Sequence, residues 1–321
     1  MSALEETSLP DRALSPIADG ANQSHVRREI ESLRRHNALL ATQGGLEAFL
    51  ATADTIPAVL HDIGRLREIC FRAVGEGTGR PLDLDRFDHT YLHVFLWDSS
   101  RHRVAGAYRL GPTDLLLAEY GPSGLYCSTL FDFEQPFLDH LTPGLELGRS
   151  FIAGDYQRSM GALHALWKGV GRFVARAPRY ARLFGPVSIS KTYTPISRNL
   201  MVGFLREKRK DPSLSALVRP TRPFEPELPG GISPRLEDIK QVSARVSEVE
   251  PDGKGVPVLL RHYLKLNATL LEFNVDPQFS NCLDALLMVD LRRAPAAMVR
   301  RYLGPDAARL LRTEAGSSPS P

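Results

Sequence analysis

A glutamate and an arginine stand three residues apart inside an otherwise apolar run, Leu145-Glu146-Leu147-Gly148-Arg149-Ser150-Phe151. The run, continued to Ile152, has the length and composition of a buried strand, where opposite charges are costly unless they are paired or put to use. Gly148 gives that strand freedom to bulge. The next periodic stretch, about residues 158–176, carries Leu163, Leu166, Trp167, Val170, Phe173 and Val174 on one helical face, the strongest helical signal in the chain. A charged strand feeding such a helix demands a sheet for the helix to cover.

The remaining periodicities extend this layout. Residues 1–23 read as a disordered lead, and 24–42 as a helix with Ser24 at its N-cap and Val26, Ile30, Leu33 and Leu40 at helical spacing. Gly44-Gly45 stops it, and 45–53 reads as a further helical piece, giving an N-terminal helical segment over 24–53. Residues 57–73 predict a helix with Ile63, Leu66, Ile69 and Cys70 on its stripe and Arg67 and Phe71 at its edge. Tyr91–Trp97 and Val104–Leu110 predict a hairpin across a polar turn. Gly185–Ser190 predicts a strand and Ile196–Arg206 a helix. Residues 211–256 form a Pro/Gly-rich excursion, after which Val258–Leu266 reads as a helix and Thr269–Phe273 and Leu283–Leu291 as strands. One α/β domain over 54–291, a mixed central sheet with helices on both faces, accommodates this order, with 292–321 a tail.

Composition narrows the function classes. The 321 residues carry a net charge of only +3, which does not by itself imply a nucleic-acid partner. Three cysteines, Cys70, Cys127 and Cys282, lack metal or disulfide spacing and fit a reducing cytosol. No apolar run reaches the roughly 18 residues of a membrane span, and the polar start lacks the features of a secretory signal. A cytoplasmic protein without a bound metal is expected.

Two constellations carry chemistry. Arg67, Arg109 and Arg149 interrupt apolar segments, and Asp83, Asp85, Asp88 and Glu146 are available to neutralise them, either around a cleft or as a structural ion-pair network. The Arg158-Ser159-Met160-Gly161 step opens the long helix, where a glycine and the helix dipole suit a phosphate; an ordinary helix start is the alternative. Lys168, Arg172 and Arg176 line that helix's polar side, as a solvated face or a docking strip for an acidic partner. His93 and Asp98 have a His-x4-Asp spacing and Glu76-Gly77-Thr78-Gly79-Arg80 a glycerolipid-acyltransferase-like block; both matches read as accidental.

In order, Leu66-Arg67 with Phe71, Asp83-x-Asp85-x-Phe87-Asp88, Gly106-x-Tyr108-Arg109-Leu110, Leu145-Glu146-Leu147-Gly148-Arg149-Ser150, Leu166-Trp167 and Gly185-Pro186-Val187-Ser188-Ile189-Ser190 resemble the Gcn5-related N-acyltransferases (GNAT fold) that make ornithine and related amino-acid lipids. This family also goes by the name hemolysin and is related to the acyl-homoserine-lactone synthases. The resemblance covers about 57–206 and 257–291. It departs from the lactone synthases in lacking their tryptophan before the Asp pair, and Arg158-x-x-Gly161-x-Leu163 only half-matches the acetyltransferase phosphate loop.

What the resemblance implies is transfer of a 3-hydroxy fatty acyl group from acyl carrier protein, or from CoA, to the α-amine of ornithine, glycine or a similar amino acid. No cofactor stays bound; the acyl-phosphopantetheine thioester is a co-substrate. Glu146 is then the expected base and Arg149 its catalytic companion, with main-chain N–H groups at the bulge holding the oxyanion. Arg67, Phe71, Asp85, Asp88 and Arg109 are expected at the amino-acid substrate. Ser150, Phe151, Arg158, Ser159 and Gly161 are expected at the phosphopantetheine. Further expected partners are a separate O-acyltransferase and the inner face of the membrane. The alternatives are a non-catalytic acyl-chain or carrier-binding partner of a glycerolipid acyltransferase, and a lactone-type signal synthase.

Overall fold

The computed structural model describes residues 14–158, 161–226 and 236–316. The chain runs α1 (Gln23–Arg35), β1 (Leu39–Gln43), β2 (Leu46–Thr52), α2 (Pro57–Arg72), β3 (Leu92–Asp98), β4 (Arg103–Pro112), α3 (Thr113–Tyr120), β5 (Phe131–Phe133), α4 (Gln135–Leu141), β6 (Leu145–Ile152) and α5 (Gly161–Arg176). It continues through β7 (Arg182–Ile189), α6 (Pro195–Lys208), α7 (Pro212–Ser215), β8 (Val218–Pro220), α8 (Ile239–Val249), α9 (Val258–Lys265), β9 (Thr269–Asp276), β10 (Cys282–Asp290), α10 (Ala296–Leu303) and α11 (Pro305–Gly316). Eight strands form one mixed sheet in the order β1-β2-β3-β4-β6-β7-β10-β9. Strand alternation divides its core: Val94 and Leu96 pack with α5, whereas Phe95 and Trp97 pack with α1 and α2.

The site is created where the sheet splits. β6 and β7 pair in parallel, but only Leu145 with Leu183 and Glu146 with Phe184 are in register. Beyond these the strands diverge. Gly185 marks the fork: a Cβ there would lie 2.0 Å from the Leu147 carbonyl oxygen, so no larger residue fits this crossing. β7 is held from its other side by the full antiparallel ladder to β10.

Several sequence expectations change. Residues 14–22, assigned to the disordered lead, are tied down by Ser15 and Ala18 N–H bonds to the Gly79 and Pro81 carbonyls. Helix α1 is capped by Asn22 rather than Ser24 and ends before Asn37, whose φ of 56° breaks the helix. The expected helix around residues 45–53 is instead the β1–β2 hairpin, with Gly44-Gly45 as its turn. On α2 the buried stripe includes Arg67 and Phe71 themselves, and Ile69 is turned outward. The 211–256 excursion contains β8, which pairs with β5, and α8, whose Val242 and Val246 are buried; residues 227–235 lie outside the described residues. No helix among the described residues is long and apolar enough to cross a membrane.

Candidate functional site

The fork between β6 and β7 opens into a cavity of about 780 Å³. Residues 147–152 of β6 form one wall, Pro186–Ser188 of β7 another, and Phe71, Tyr126, Phe279 and Asp284 close one side. Phe71 and Phe279 meet edge to face, with ring centroids 5.0 Å apart, and give this side an apolar lining.

The β6 wall is bulged. Ala107 of β4 pairs with Phe151 and Arg109 with Gly148, so Arg149 and Ser150 together oppose the single residue Tyr108. Arg149 adopts φ 51°, so the left-handed backbone falls on the arginine and not on Gly148, where the sequence suggested the flexibility lies. The extra residue has a steric consequence. Positions three apart on a regular strand face opposite ways, yet Glu146 and Arg149 both reach Tyr126.

They reach it differently. Glu146 is buried and accepts hydrogen bonds from the Tyr91 hydroxyl (2.5 Å), the Cys127 N–H (2.7 Å) and the Tyr126 N–H (3.1 Å). Burial pushes its carboxyl upward, against the lowering effect of the Cys127 and Tyr91 bonds. It does not line the cavity. Arg149 does, donating to the Tyr126 hydroxyl at 3.2 Å, pairing with Asp83 and Asp85 at 3.3 and 3.6 Å, and stacking on Tyr126 and Phe279.

The other expected charges converge away from the cavity. Arg67 pairs with Asp88 at 2.6 Å, and Arg109 with Asp85 and Asp88 at 2.5 and 3.3 Å. Both guanidinium groups are fully buried. Burial would raise the Asp88 carboxyl, but Arg67 and Arg109 outweigh it and hold the group below the usual carboxylate range. Arg67, Asp85, Asp88 and Arg109 therefore brace α2 and the 83–88 segment against β4, the structural reading of this set; of the expected amino-acid contacts only Phe71 lines the cavity. His93 hydrogen-bonds the Asp88 carbonyl and Asp98 caps its own turn, so their sequence spacing makes no dyad.

Sequence reasoning missed a carboxylate in the cavity wall. Asp284, in the apolar strand β10, is 3% exposed and accepts from the Ser188 hydroxyl at 2.7 Å and weakly from the Cys282 thiol at 3.6 Å. Burial pushes it up to about 7 against the Ser188 bond, with Asp276 adding to the rise. The signal was available: Leu283-Asp284-Ala285-Leu286 sets a lone carboxylate in an apolar strand, as Leu145-Glu146-Leu147 does.

With this geometry in place, the chain can be set beside known proteins. Residues 66–168 match the Acetyltransferase (GNAT) domain family. Over 245 residues the chain is 31% identical to a glycine N(alpha)-acyltransferase of Bacteroides thetaiotaomicron, spanning 71% of each chain. It is 30% identical to a glycine N(alpha)-acyltransferase of Phocaeicola vulgatus, spanning 71% of this chain and 74% of that one. The chain belongs to the GNAT N-acyltransferase family. A solved CoA-dependent acyl-homoserine lactone synthase, BjaI, with SAM and isopentyl-CoA, is similar at a TM-score of 0.40 and 14% identity, over 82% of this chain and 97% of that one.

In this N-acyltransferase the cavity reaches Gln157 and Leu163, at the start of α5. Arg158 is exposed there and Gly161 is the first helical residue; Ser159 lies outside the described residues. Ser150 and Phe151 are in the cavity wall. The basic side of α5 is partly engaged by the chain itself, Arg172 donating to the Leu303 carbonyl and Arg176 to the Leu39 carbonyl, each at 2.9 Å.

Proposed function

We propose that this enzyme moves a fatty acyl group, 3-hydroxylated as in amino-acid lipids, from the phosphopantetheine thioester of acyl carrier protein to the α-amine of glycine or a similar small amino acid. The observation that carries the reading is a buried carboxylate, Asp284, facing the same cavity as the bulge of β6. The α-amine of a free amino acid is almost wholly protonated at pH 7, so attack on a thioester benefits from a nearby proton acceptor. Asp284 is assigned that role. Glu146, with three donors on its carboxylate and no place in the cavity wall, is assigned a positioning role: it holds the Tyr126–Cys127 segment, and through it the Tyr126 side chain that meets Arg149.

The amine nitrogen attacks the thioester carbonyl carbon. Main-chain N–H groups at the Arg149–Phe151 bulge stabilise the oxyanion, and collapse breaks the C–S bond to give amide and thiol. Arg149 faces the amino acid's carboxylate. The amides at the start of α5, beside Arg158 and Gly161, receive the phosphate. The glycine relatives, and the pairing of Asp85 and Asp88 with Arg109 and Arg67, which leaves neither carboxylate for a second substrate amine, both favour a small acceptor over ornithine. Product release at the inner face of the membrane, and consumption of the product by a separate O-acyltransferase, belong to the same proposal.

The test uses purified protein with 3-hydroxyacyl carrier protein, and in parallel acyl-CoA, against a panel of amino acids. Free thiol and product mass are followed. Glycine-dependent thiol release is expected; thiol release that no amino acid stimulates removes the reading.

A further inference from the structure

The glycine-rich block that resembled a lipid-acyltransferase motif by accident has a structural purpose. Gly75 and Gly79 adopt φ of 74° and 78°, and the loop between them is clamped from outside. Buried Glu68 accepts the Thr78 N–H and hydroxyl at 3.1 and 2.7 Å and the Gly79 N–H at 2.8 Å. The Ser190 hydroxyl holds the Val74 carbonyl at 2.6 Å, and the Ser280 hydroxyl holds the Gly77 carbonyl at 3.1 Å. Between these anchors sits Glu76. Its carboxyl accepts no hydrogen bond and forms no ion pair among the described residues, and it lines the same cavity as Asp284. A rigidly held loop that presents one unpaired carboxyl to a buried second one is an arrangement that stability alone does not favour.

We propose that Glu76 is the general acid of the acyl transfer and Asp284 its base. This rests on the N-acyltransferase reading above. As the amine nitrogen bonds the thioester carbon, Asp284 takes the nitrogen's proton. As the C–S bond breaks, the carboxylic acid of Glu76 gives its proton to the departing sulfur. The turnover leaves Asp284 protonated and Glu76 ionised, and a proton passing from Asp284 to Glu76 through water restores the starting state. Neutral amine and thioester become amide and thiol, with no other reactant consumed.

Two carboxyls in one site divide into acid and base when their environments hold one proton between them. Burial, and then the charge of Asp284, pushes Glu76 up to about 8, above Asp284. Asp276 and Arg149 act on Asp284, Cys282 faces both carboxyls, Tyr193 faces Glu76, and Lys254 on the cavity wall is engaged by Glu250 and Asp252.

The full-length enzyme is assayed with glycine on two donors: an alkyl thioester of pantetheine and an aryl thioester, whose more acidic thiol leaves without protonation. Glu76→Gln is expected to lose about 10²-fold on the alkyl donor, much less on the aryl donor, and the alkaline limb of kcat/KM. Equal losses on both donors, or an unchanged limb, overturn the proposal. If Glu76→Gln misfolds, Glu76→Asp retains an acid and is expected to keep the limb; losing it overturns the proposal equally. Absence of thiol release in wild type on any amino acid defeats the N-acyltransferase reading instead. Carboxyl ¹³C titration then still decides on the pair: Glu76 is expected to titrate far above the ordinary glutamate value and to fall in Asp284→Asn, and an ordinary Glu76 value overturns it.

Discussion

Glu146 and Asp284 are the same sequence event, one carboxylate in an apolar strand, with opposite structural outcomes. Glu146 collects two main-chain N–H groups and a tyrosine hydroxyl and is shut away from the cavity. Asp284 has one serine hydroxyl and a weak thiol donor and faces the cavity. A saturated carboxylate spends its lone pairs on holding the backbone; an undersaturated one at the wall of a cavity keeps proton affinity in reserve. The lesson is that a charge in a strand becomes a functional candidate through the donors it lacks.

The comparison is broken most directly by turnover. Asp284→Asn is expected to lower kcat about 10²–10⁴-fold while the protein stays folded, whereas Glu146→Gln, once folded, loses no more than about tenfold. Steady-state thiol release on purified variants checks this, and the reverse order of the two losses would return the base to Glu146.

The next effect concerns the saturated side. Arg67→Met leaves Asp88 buried with Arg109 as its remaining cation, and unfolding in urea is expected to show a loss of about 3–5 kcal/mol. Asp88 sits below its ordinary value because Arg67 and Arg109 outweigh its burial. Its contribution is therefore full above the unfolded carboxylate value and is lost as pH falls through the folded one. The Arg67→Met deficit should accordingly be present at neutral pH and shrink in strong acid, and a deficit that grows with acid would show that the pair does not brace α2.

Glu146→Gln comes third, at about 1–3 kcal/mol, since an amide supplies a weaker acceptor and turns a donor toward the N–H of Tyr126 or of Cys127. Equal urea midpoints for wild type and variant would deny Glu146 its positioning role.

How far the sequence reached follows the same physics. β6 is bounded identically by composition and by structure, and α2 and the β3–β4 hairpin lie within a residue or two of the periodicity that marks them. These elements bury a whole face, so their pattern is written locally. The β1–β2 hairpin was hidden because its strands are short and Gly44-Gly45 serves equally as a helix stop. Residues 113–144 gave no reading at all, because their order depends on distant partners: β5 on β8, and the Tyr126–Cys127 turn on Glu146. The Arg–Asp set was legible as a group but not as a brace, since only three-dimensional placement shows that its charges cancel away from the cavity. Asp284 and Glu76 were overlooked although both letters stood in view, one in an apolar strand and one in a glycine loop that read as accident.

Burial raises both carboxyls, and the smallest predicted effect separates them by the direction in which their variants' melting shifts. Asp284 is raised to about 7 in the folded chain, well above an unfolded aspartate near 3.9. Between those values the native state holds the extra proton, so Asp284 makes stability fall as pH rises through that window. Asp284→Asn removes this decline. The variant should melt level with wild type near pH 4 and roughly 2–4 °C above it near pH 8, in the same buffers where Glu146→Gln melts below. A base kept partly unsatisfied for catalysis destabilises the fold that carries it, and replacing it should exchange activity for stability. Differential scanning calorimetry across that range decides the matter: if Asp284→Asn melts lower at pH 8, the Ser188 bond has compensated its burial and Asp284 is a structural residue like Glu146.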